Sequence, residues 1–249
     1  QNELSFLCLS SSVGAEYFKD SKPKSKKETK KRKASLKIKE SIKLTIPEPS
    51  GISFSSNGQH LYIVSDKGKL YKTDLSGNVI KKAKYRGSDF EGVCTKGGKV
   101  FVVDETLRQI LEFDSESLKL KESQQYVYNG ATNRSWESIV FDPNSERLLA
   151  FTEKLPVLMF EFNKGLEQKA VHQINKIKEI AGATYHNGLI WVVSDEDRTV
   201  YALSPKSLKI KKSWKIPVLN PEGITFSPNG TLWIISDAMA KIYKFDVPD

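Results

Sequence analysis

Three short segments of the sequence place a glutamate directly before a small residue that opens an apolar stretch. These glutamates are Glu91, Glu137 and Glu222, while Glu48 and Glu179 lie three residues before the matching small residue in two other segments. Side chains on an extended strand alternate with a period of two, so positions one and three residues before a marker point the same way. The pattern predicts a ring of carboxylates, which is the ligand type that a hard cation such as calcium prefers.

Two interpretations of these carboxylates stay open. Mutual repulsion in a narrow channel would raise some of their pKa values or be relieved by a bound cation. Alternatively, a glutamate before a glycine accepts backbone N–H bonds from the neighbouring unit and serves the structure alone.

A second group of acidic residues follows strongly apolar segments. Asp66, Asp104, Asp195 and Asp237 take this place, with Glu153 in the third unit. Aspartate caps turns well, which gives these residues a structural interpretation. If the apolar strand runs antiparallel to the strand before it, its end returns to the face that carries the glutamates. The candidate metal ligands are therefore Glu91, Glu137, Glu222, Asp195 and Asp237.

The third unit departs most from the common pattern. Arg134, Trp136 and Glu137 bring a cation, an indole and a carboxylate together in one loop. We interpret these three residues as a ligand contact, and the alternative is an arginine packed on the indole for stability.

Catalytic residues stay unknown, because the sequence has no Ser-His-Asp arrangement, zinc cluster or glycine-rich phosphate loop. His60 and His186 lie at or near hairpin turns and are expected to be solvated. Cys94 is expected to be a small buried apolar residue.

An internal repeat defines the elements that must position these residues. Ser35–Lys39 recurs as Ser207–Lys211, and Pro49–Ser55 recurs as Pro221–Ser227, both at an offset of 172 residues. The markers that begin the apolar stretches are Gly51, Gly92, Ser138, Gly182 and Gly223, at steps of 41 to 46 residues. A period of about 40–50 residues is typical of a propeller blade with four strands.

Each unit follows the same order of strands. An inner strand is followed by a turn of the Asn-Gly or Gly-Gly type, as at Asn57-Gly58, which favours a tight hairpin. The second strand is apolar throughout, as expected for packing on both faces. The third strand alternates, and the fourth is lysine-rich, which suits an exposed edge.

The repeat predicts an all-β fold, a five-bladed β-propeller. The fifth unit stops after its third strand, and Leu36 to Ile46 matches Leu208 to Val218. We therefore expect an N-terminal strand to pair with the last blade and close the ring. The predicted domains are a disordered basic tail or linker over 1–34 and the propeller over 35–249.

The net charge of +9 resides in the tail. Lys19 to Lys39 contains eleven Lys or Arg against Asp20 and Glu28, so the rest of the chain is close to neutral. This distribution argues against a specific nucleic-acid interface. The tail is either a solvated linker or a contact for an anionic surface. Cys8 and Cys94 form neither a disulfide framework nor a zinc pattern, and we expect a monomer.

No segment reaches the roughly 20 apolar residues that a membrane-spanning helix needs. Leu4 to Cys8 has a weak likeness to a lipoprotein cleavage site, and the alternative is an unmodified mature N-terminus.

Two family resemblances follow from these motifs. The pattern Glu-Gly-Ile/Val, turn, apolar strand, Ser/Val-Asp and Ile-Tyr-Lys-Phe-Asp resembles the SdiA-regulated family of bacterial propellers, over roughly Ser35 to Asp249. That resemblance implies a setting outside the cytoplasm, in the periplasm or cell envelope, often tethered at a membrane, with no established reaction. Ser227 to Asp237 is also similar to NHL-type repeats and to gluconolactonase-like calcium lactonases.

The lactonase resemblance implies a channel cation held by Glu, Asn and Asp. By position, Glu91, Glu137, Glu222 and the strand-ending aspartates correspond to such ligands, but the chain does not match the Asn ligand and catalytic Asp of those enzymes. We therefore expect a non-catalytic extracytoplasmic module that binds a small molecule or protein at the channel mouth, with calcium as the candidate cofactor. The alternative is a metal-dependent lactonase or esterase, so enzymatic activity stays open.

Overall fold

The structure of the protein is a computed structural model that describes residues 34–127 and 135–246. Within these ranges every regular element is a β-strand, and the strands form five sheets. The same ranges contain no helix with the length and apolar character needed to span a membrane. The predicted all-β class and the five-bladed propeller are confirmed. The predicted tail lies almost wholly outside the described residues.

The first four blades each consist of four consecutive strands. Blade one is β3 (Pro49–Phe54), β4 (Leu61–Ser65), β5 (Lys69–Thr73) and β6 (Val79–Lys82). Blade two is β7 (Phe90–Lys96), β8 (Lys99–Asp104), β9 (Gln109–Asp114) and β10 (Leu120–Gln125). Blade three is β11 (Trp136–Asp142), β12 (Arg147–Thr152), β13 (Leu158–Phe162) and β14 (Gln168–Gln173). Blade four is β15 (Gly182–His186), β16 (Leu189–Ser194), β17 (Thr199–Leu203) and β18 (Ile210–Lys215).

Blade five combines the two ends of the described chain. Its strands are β19 (Pro221–Phe226), β20 (Leu232–Ser236), β21 (Lys241–Phe245) and, outermost, β2 (Ile38–Lys43). Strand β2 runs antiparallel to β21, with Ile42 opposite Ile242. The predicted closure by an N-terminal strand is therefore confirmed. A two-residue strand, β1 (Ala34–Ser35), adds a parallel pairing to β18 of blade four that the sequence did not predict.

The inner strands form a closed ring around the central channel. Each inner strand contacts the inner strand of the next blade, and β19 contacts β3 to complete the circle. The core consists of five apolar clusters, one between each pair of neighbouring blades. Second strands such as β4 are buried along their whole length, because both of their faces pack against apolar side chains.

A constriction of small residues narrows the channel. It consists of Gly51, Gly92, Ser138, Gly182 and Gly223, the residues that mark the sequence repeat. A Cβ on Gly182 would lie 2.3 Å from the Glu222 carbonyl oxygen, and a Cβ on Gly92 would lie 2.6 Å from the Ser138 Cα. Neighbouring backbones therefore approach too closely for a larger side chain, which explains why small residues recur at this position.

Candidate functional site at the acidic mouth of the channel

A backbone bulge positions each of the three channel glutamates. The pairing between the first and second strands of a blade shifts by one residue at Glu91, at Glu137 and at Glu222. A bulge inserts one extra residue and redirects its side chain. All three glutamates line the narrowest part of the channel, whose cavity volume is about 10 Å³. We call the channel end that carries them the acidic mouth.

The five glutamates of the predicted ring occupy two different kinds of position in the structure. The shift in blade one falls at Ser50, and Ala181 lines the channel in blade four, so neither blade contributes a glutamate at the bulge position. The alternation rule that grouped Glu48 and Glu179 with the others does not hold across a bulge. Three glutamates, one serine and one alanine therefore line the channel here.

Glu48 and Glu179 are compensated by partners of their own. Glu48 forms an ion pair with Lys67, with 2.5 Å between the carboxylate oxygen and Nζ. Glu179 is buried, and it accepts hydrogen bonds from the Ser194 hydroxyl at 2.5 Å and from the Glu196 backbone N–H at 3.1 Å. These partners belong to the same blade as the glutamate in each case, and not to the neighbouring blade that the structural interpretation predicted.

The acidic residues that follow the second strands lie near the three glutamates. In blade two the residue at this position differs from the one that the sequence predicted. The backbone N–H groups of Asp66, Glu105 and Asp237 donate to the carbonyl oxygens of Glu48, Asp89 and Asn220, which makes these three residues equivalent. The assignment of Asp104 to this position is wrong by one residue. The Asp104 carboxylate instead accepts the N–H groups of Ser88 at 2.7 Å and Leu107 at 3.1 Å, as a turn cap does.

Glu105 is the site residue that the sequence reasoning missed. Its carboxylate is buried and accepts the Ser135 N–H at 3.0 Å. Carboxylate oxygens of Asp89, Glu91 and Glu105 all lie within 4.8 Å of one another. Two ligands of one calcium ion are separated by at most about 5 Å, because each lies at roughly 2.3–2.6 Å from the metal. These three carboxylates can therefore hold one such cation.

Only one of the predicted metal ligands, Glu91, belongs to this compact group. Glu137 adjoins it, because its carboxyl group lies within hydrogen-bonding reach of the Glu105 carboxyl group. Glu222 lies farther round the mouth, in the electrostatic field of Asp195 and Asp237. The predicted metal ligands therefore lie at one mouth in two neighbouring groups. Glu91 and Glu137 form the first group, and Glu222, Asp195 and Asp237 form the second.

Burial and mutual repulsion raise the pKa values of these carboxyls. Burial, followed by the charge of Glu137, raises the pKa of Glu91 well above its usual range. Burial and the charge of Glu105 do the same for the pKa of Glu137. Burial and the charge of Asp195 raise the pKa of Glu222 to about 8, and burial raises that of Asp66 to about 6. Carboxyl groups with raised pKa values keep their protons to higher pH, and a divalent cation would compete with those protons.

The predicted Arg134 and Trp136 contacts have different outcomes. Arg134 lies outside the described residues. The Trp136 side chain is 1% exposed and packs edge to face against Tyr126, Phe160 and Phe162. Its indole is part of the core between blades two and three. The predicted pairing of Arg134 with this indole involves a residue outside the described ranges.

Solved structures with the same fold include proteins of different kinds. Glutaminyl cyclase from Myxococcus xanthus superimposes with a TM-score of 0.72 at 15% identity, covering 87% of this chain and 99% of that one. The Cps50 (Swd1) β-propeller domain from Myceliophteria thermophila gives a TM-score of 0.54 at 10% identity, covering 86% of this chain and 100% of that one. A chain of the mitotic checkpoint complex gives 0.51 at 13% identity, covering 80% and 61%. At these identities the similarity shows the fold alone.

Sequence comparison identifies the family. No curated protein matches the chain. The model of the SdiA-regulated family, in contrast, matches residues 26–246, which include all five blades and every carboxylate of the acidic mouth. The chain therefore belongs to the SdiA-regulated family.

Proposed function

We propose that the protein is a binding module whose acidic mouth holds calcium and presents it to a small molecule or a protein. One observation carries this proposal: Asp89, Glu91 and Glu105 place their oxygens within 4.8 Å of one another. Oxygen-only ligand sets of this kind suit calcium, which accepts carboxylates and water in a flexible shell.

The charge balance of the mouth supports the same conclusion. Lys67 and Lys154 are paired with Glu48 and Glu153 at 2.5 Å and 2.6 Å, and neither pairs with Glu91 or Glu105. Bringing carboxylates together is unfavourable, and bound protons or a bound cation would offset their repulsion. Calcium in this position would keep open coordination positions for oxygen atoms of a ligand.

Thermal unfolding with and without calcium tests this proposal. In EDTA at pH 7.5 the wild type should melt at a lower temperature than in excess calcium. At a calcium concentration of 100 times Kd the expected gain is about 2.7 kcal/mol, or about 5–10 °C in Tm. Glu91→Gln and Glu105→Gln should lose most of the gain, because each removes one charged ligand.

Glu122→Gln is the matched control, because Glu122 lies exposed on the outer strand β10. Its calcium response should equal that of the wild type. A wild type that neither retains calcium in elemental analysis nor shifts its Tm would refute the calcium site.

Hydrolase or cyclase activity is a second candidate, favoured by the carboxyls that titrate near neutral pH. The pKa values of Asp66 and Glu222 are raised to about 6 and about 8, and the charge of Asp66 contributes to the rise at Glu222. Such a pair can supply one base and one acid at the same pH. The glutaminyl cyclase with a similar fold adds peptides with an N-terminal glutamine to the substrates worth testing.

A panel of lactones, esters and N-terminal glutaminyl peptides tests the enzyme candidate. Turnover should fall by at least about 100-fold in Glu222→Gln and stay unchanged in Glu122→Gln. A wild type that turns over none of these substrates would reject the enzyme and leave the binding module.

An extracytoplasmic setting is part of the proposal and rests on the family resemblance. The expected location is the periplasm or cell envelope, with tethering at a membrane. Cell fractionation with labelling of Cys8 by a lipid precursor tests it, and recovery in the cytoplasm would refute it.

A further inference from the structure

The channel has a second mouth, at the end opposite the acidic one. There the inner strands end in a pocket with a volume of about 340 Å³. All five blades contribute to its wall. Its principal side chains are Ser53, Thr95, Phe141, Tyr185, His186 and Phe226. We call this cavity the neutral pocket, and its volume lies within the range of small-molecule sites.

No Asp, Glu, Lys or Arg lines the neutral pocket among the described residues. Lys96 lies nearby with its Nζ 4.4 Å from the centre of the Phe141 ring, outside the lining. The lining side chains offer hydroxyl groups, which both donate and accept hydrogen bonds, together with aromatic rings. A ligand that carries a net charge would therefore find no counter-charge in this wall.

His186 adds to the aromatic wall and corrects the expectation that it is solvated. Its imidazole stacks on the Phe226 ring with 4.0 Å between the centres and 6° between the planes. Burial lowers the pKa of His186, which favours the neutral form of its ring. Both rings line the cavity.

Hydrogen bonds between blades hold the rim in place. Thr95 Oγ1 donates to the Phe54 carbonyl oxygen at 2.8 Å, which links blades one and two. Asn144 Nδ2 donates to the Tyr185 hydroxyl at 2.5 Å, which links blades three and four. A wall held in this way needs little ordering when a ligand binds, which favours affinity.

The constriction separates the neutral pocket from the acidic mouth. The cavity at the constriction, which the three channel glutamates also line, is only about 10 Å³, close to the minimum for one water molecule. A small molecule cannot pass from one mouth to the other, so ligands at the two mouths would bind at separate sites.

We propose that the neutral pocket binds an uncharged polyhydroxylated ring, that is, a hexose unit of a free or polymeric sugar. Such a ring matches the wall in two ways. Its hydroxyl groups pair with hydroxyls that both donate and accept, and its apolar C–H face packs on an aromatic ring. The absence of charged side chains from the described lining disfavours sugar acids and phosphates.

Saturation-transfer NMR with the methyl glycosides of glucose, galactose and N-acetylglucosamine tests this proposal. At least one of them should receive saturation from the protein, with Kd of about 1 mM as expected for a single sugar unit. Ser53→Phe fills the pocket and should weaken binding at least about tenfold. Tyr185→Phe removes one hydroxyl without adding volume and should weaken it by a smaller factor.

Two controls make the result specific to the pocket. Ser123→Phe places the same side chain on the exposed outer strand β10 and should bind as the wild type does. Glu91→Gln, at the other mouth, should also leave sugar binding unchanged, so this test is independent of the calcium proposal. If Ser53→Phe does not fold, the sugar affinity of Tyr185→Phe is compared with that of Glu91→Gln, and only Tyr185→Phe should bind more weakly than the wild type.

Four outcomes would overturn the proposal. The first is that none of the three glycosides receives saturation from the protein, and the second is that wild type, Ser53→Phe and Tyr185→Phe bind a glycoside equally well. The third is that Glu91→Gln loses sugar binding. The fourth is that glucuronate or uridine binds more tightly than every neutral hexoside.

Discussion

The glutamates of the acidic mouth show how surroundings decide the role of one residue type. Glu48 and Glu179 have cationic or hydrogen-bonding partners, whereas Glu91 and Glu137 have other carboxylates as their electrostatic neighbours. Repulsion in a poorly hydrated site disfavours the charged form, so the pKa values of these two glutamates lie above those of exposed glutamates.

Glu222 should make stability depend on pH. Its pKa is raised from 4.5 to about 8, so the folded protein binds this proton more tightly than the unfolded chain does. The resulting stabilisation is complete below about pH 4.5 and is lost as the pH rises through 8. In EDTA, Tm should therefore fall between pH 5 and pH 8, and Asp66, raised to about 6, should add to the fall.

Glu222→Gln should flatten this pH dependence and raise Tm at pH 8 by about 2–4 °C for each kcal/mol recovered. Glu122→Gln should follow the wild-type curve. A wild-type Tm that rises from pH 5 to pH 8 would contradict the sign of this effect.

The constriction should tolerate no added methyl group. Gly182→Ala would bring its Cβ to 2.3 Å from a backbone oxygen of blade five, which forces the inner strands apart. We expect a loss of about 1–3 kcal/mol, measured by urea unfolding. Gly98→Ala is the control, because its Cβ would meet nothing closer than the Ser115 hydroxyl at 4.0 Å. Equal stability of both variants would show that the backbones can separate freely.

At the level of elements, the sequence predicted the strands well and their irregularities poorly. The repeat predicted the blade order and the pairing of β2 with β21, because both follow from a period and an incomplete last unit. The positions of the β-bulges produce no comparable periodic pattern in the sequence. The sequence therefore could not predict that Ser50 and Ala181, not Glu48 and Glu179, occupy the channel positions.

Glu105 was missed for a related reason. Val103-Asp104 looks like the end of a second strand in sequence, yet Asp104 pairs with Phe90, as Ser65 pairs with Pro49 in blade one. Only the pairing register reveals that the next residue, Glu105, is the one that turns toward the channel mouth. Trp136 shows the same limit, because its type suits a ligand contact and its burial is visible only in three dimensions.

Strand β2 should be essential to the fold. A chain that begins at Lys33 keeps this strand and should melt as the full chain does. A chain that begins at Leu44 exposes the edge of β21, and we expect a large fall in Tm together with aggregation. A synthetic peptide of residues 34–46, added to the shorter chain, should restore part of the lost Tm. Identical melting of the two shortened chains would contradict this role.

The whole molecule has an uneven distribution of charge. Lys19 to Lys39 carries the excess positive charge, while the acidic mouth collects carboxylates within the propeller. Basic residues near an anionic membrane contribute about 1 kcal/mol each, and salt screens the attraction.

Removing residues 1–32 should therefore reduce sedimentation of the protein with vesicles that contain phosphatidylserine. Vesicles of phosphatidylcholine alone are the control, and neither chain should sediment with them. If both chains sediment equally with the anionic vesicles, the tail is a solvated linker and does not bind the membrane.

The composite fifth blade has a consequence for the order of synthesis. Strand β2 is made about 200 residues before its partner β21, so its hydrogen-bonding edge stays unpaired while four blades emerge. This unpaired strand carries the charged residues Lys39, Glu40 and Lys43. Charges on an unpaired strand disfavour its association with other chains. The nascent protein must therefore stay soluble without ring closure until its last strand has left the ribosome.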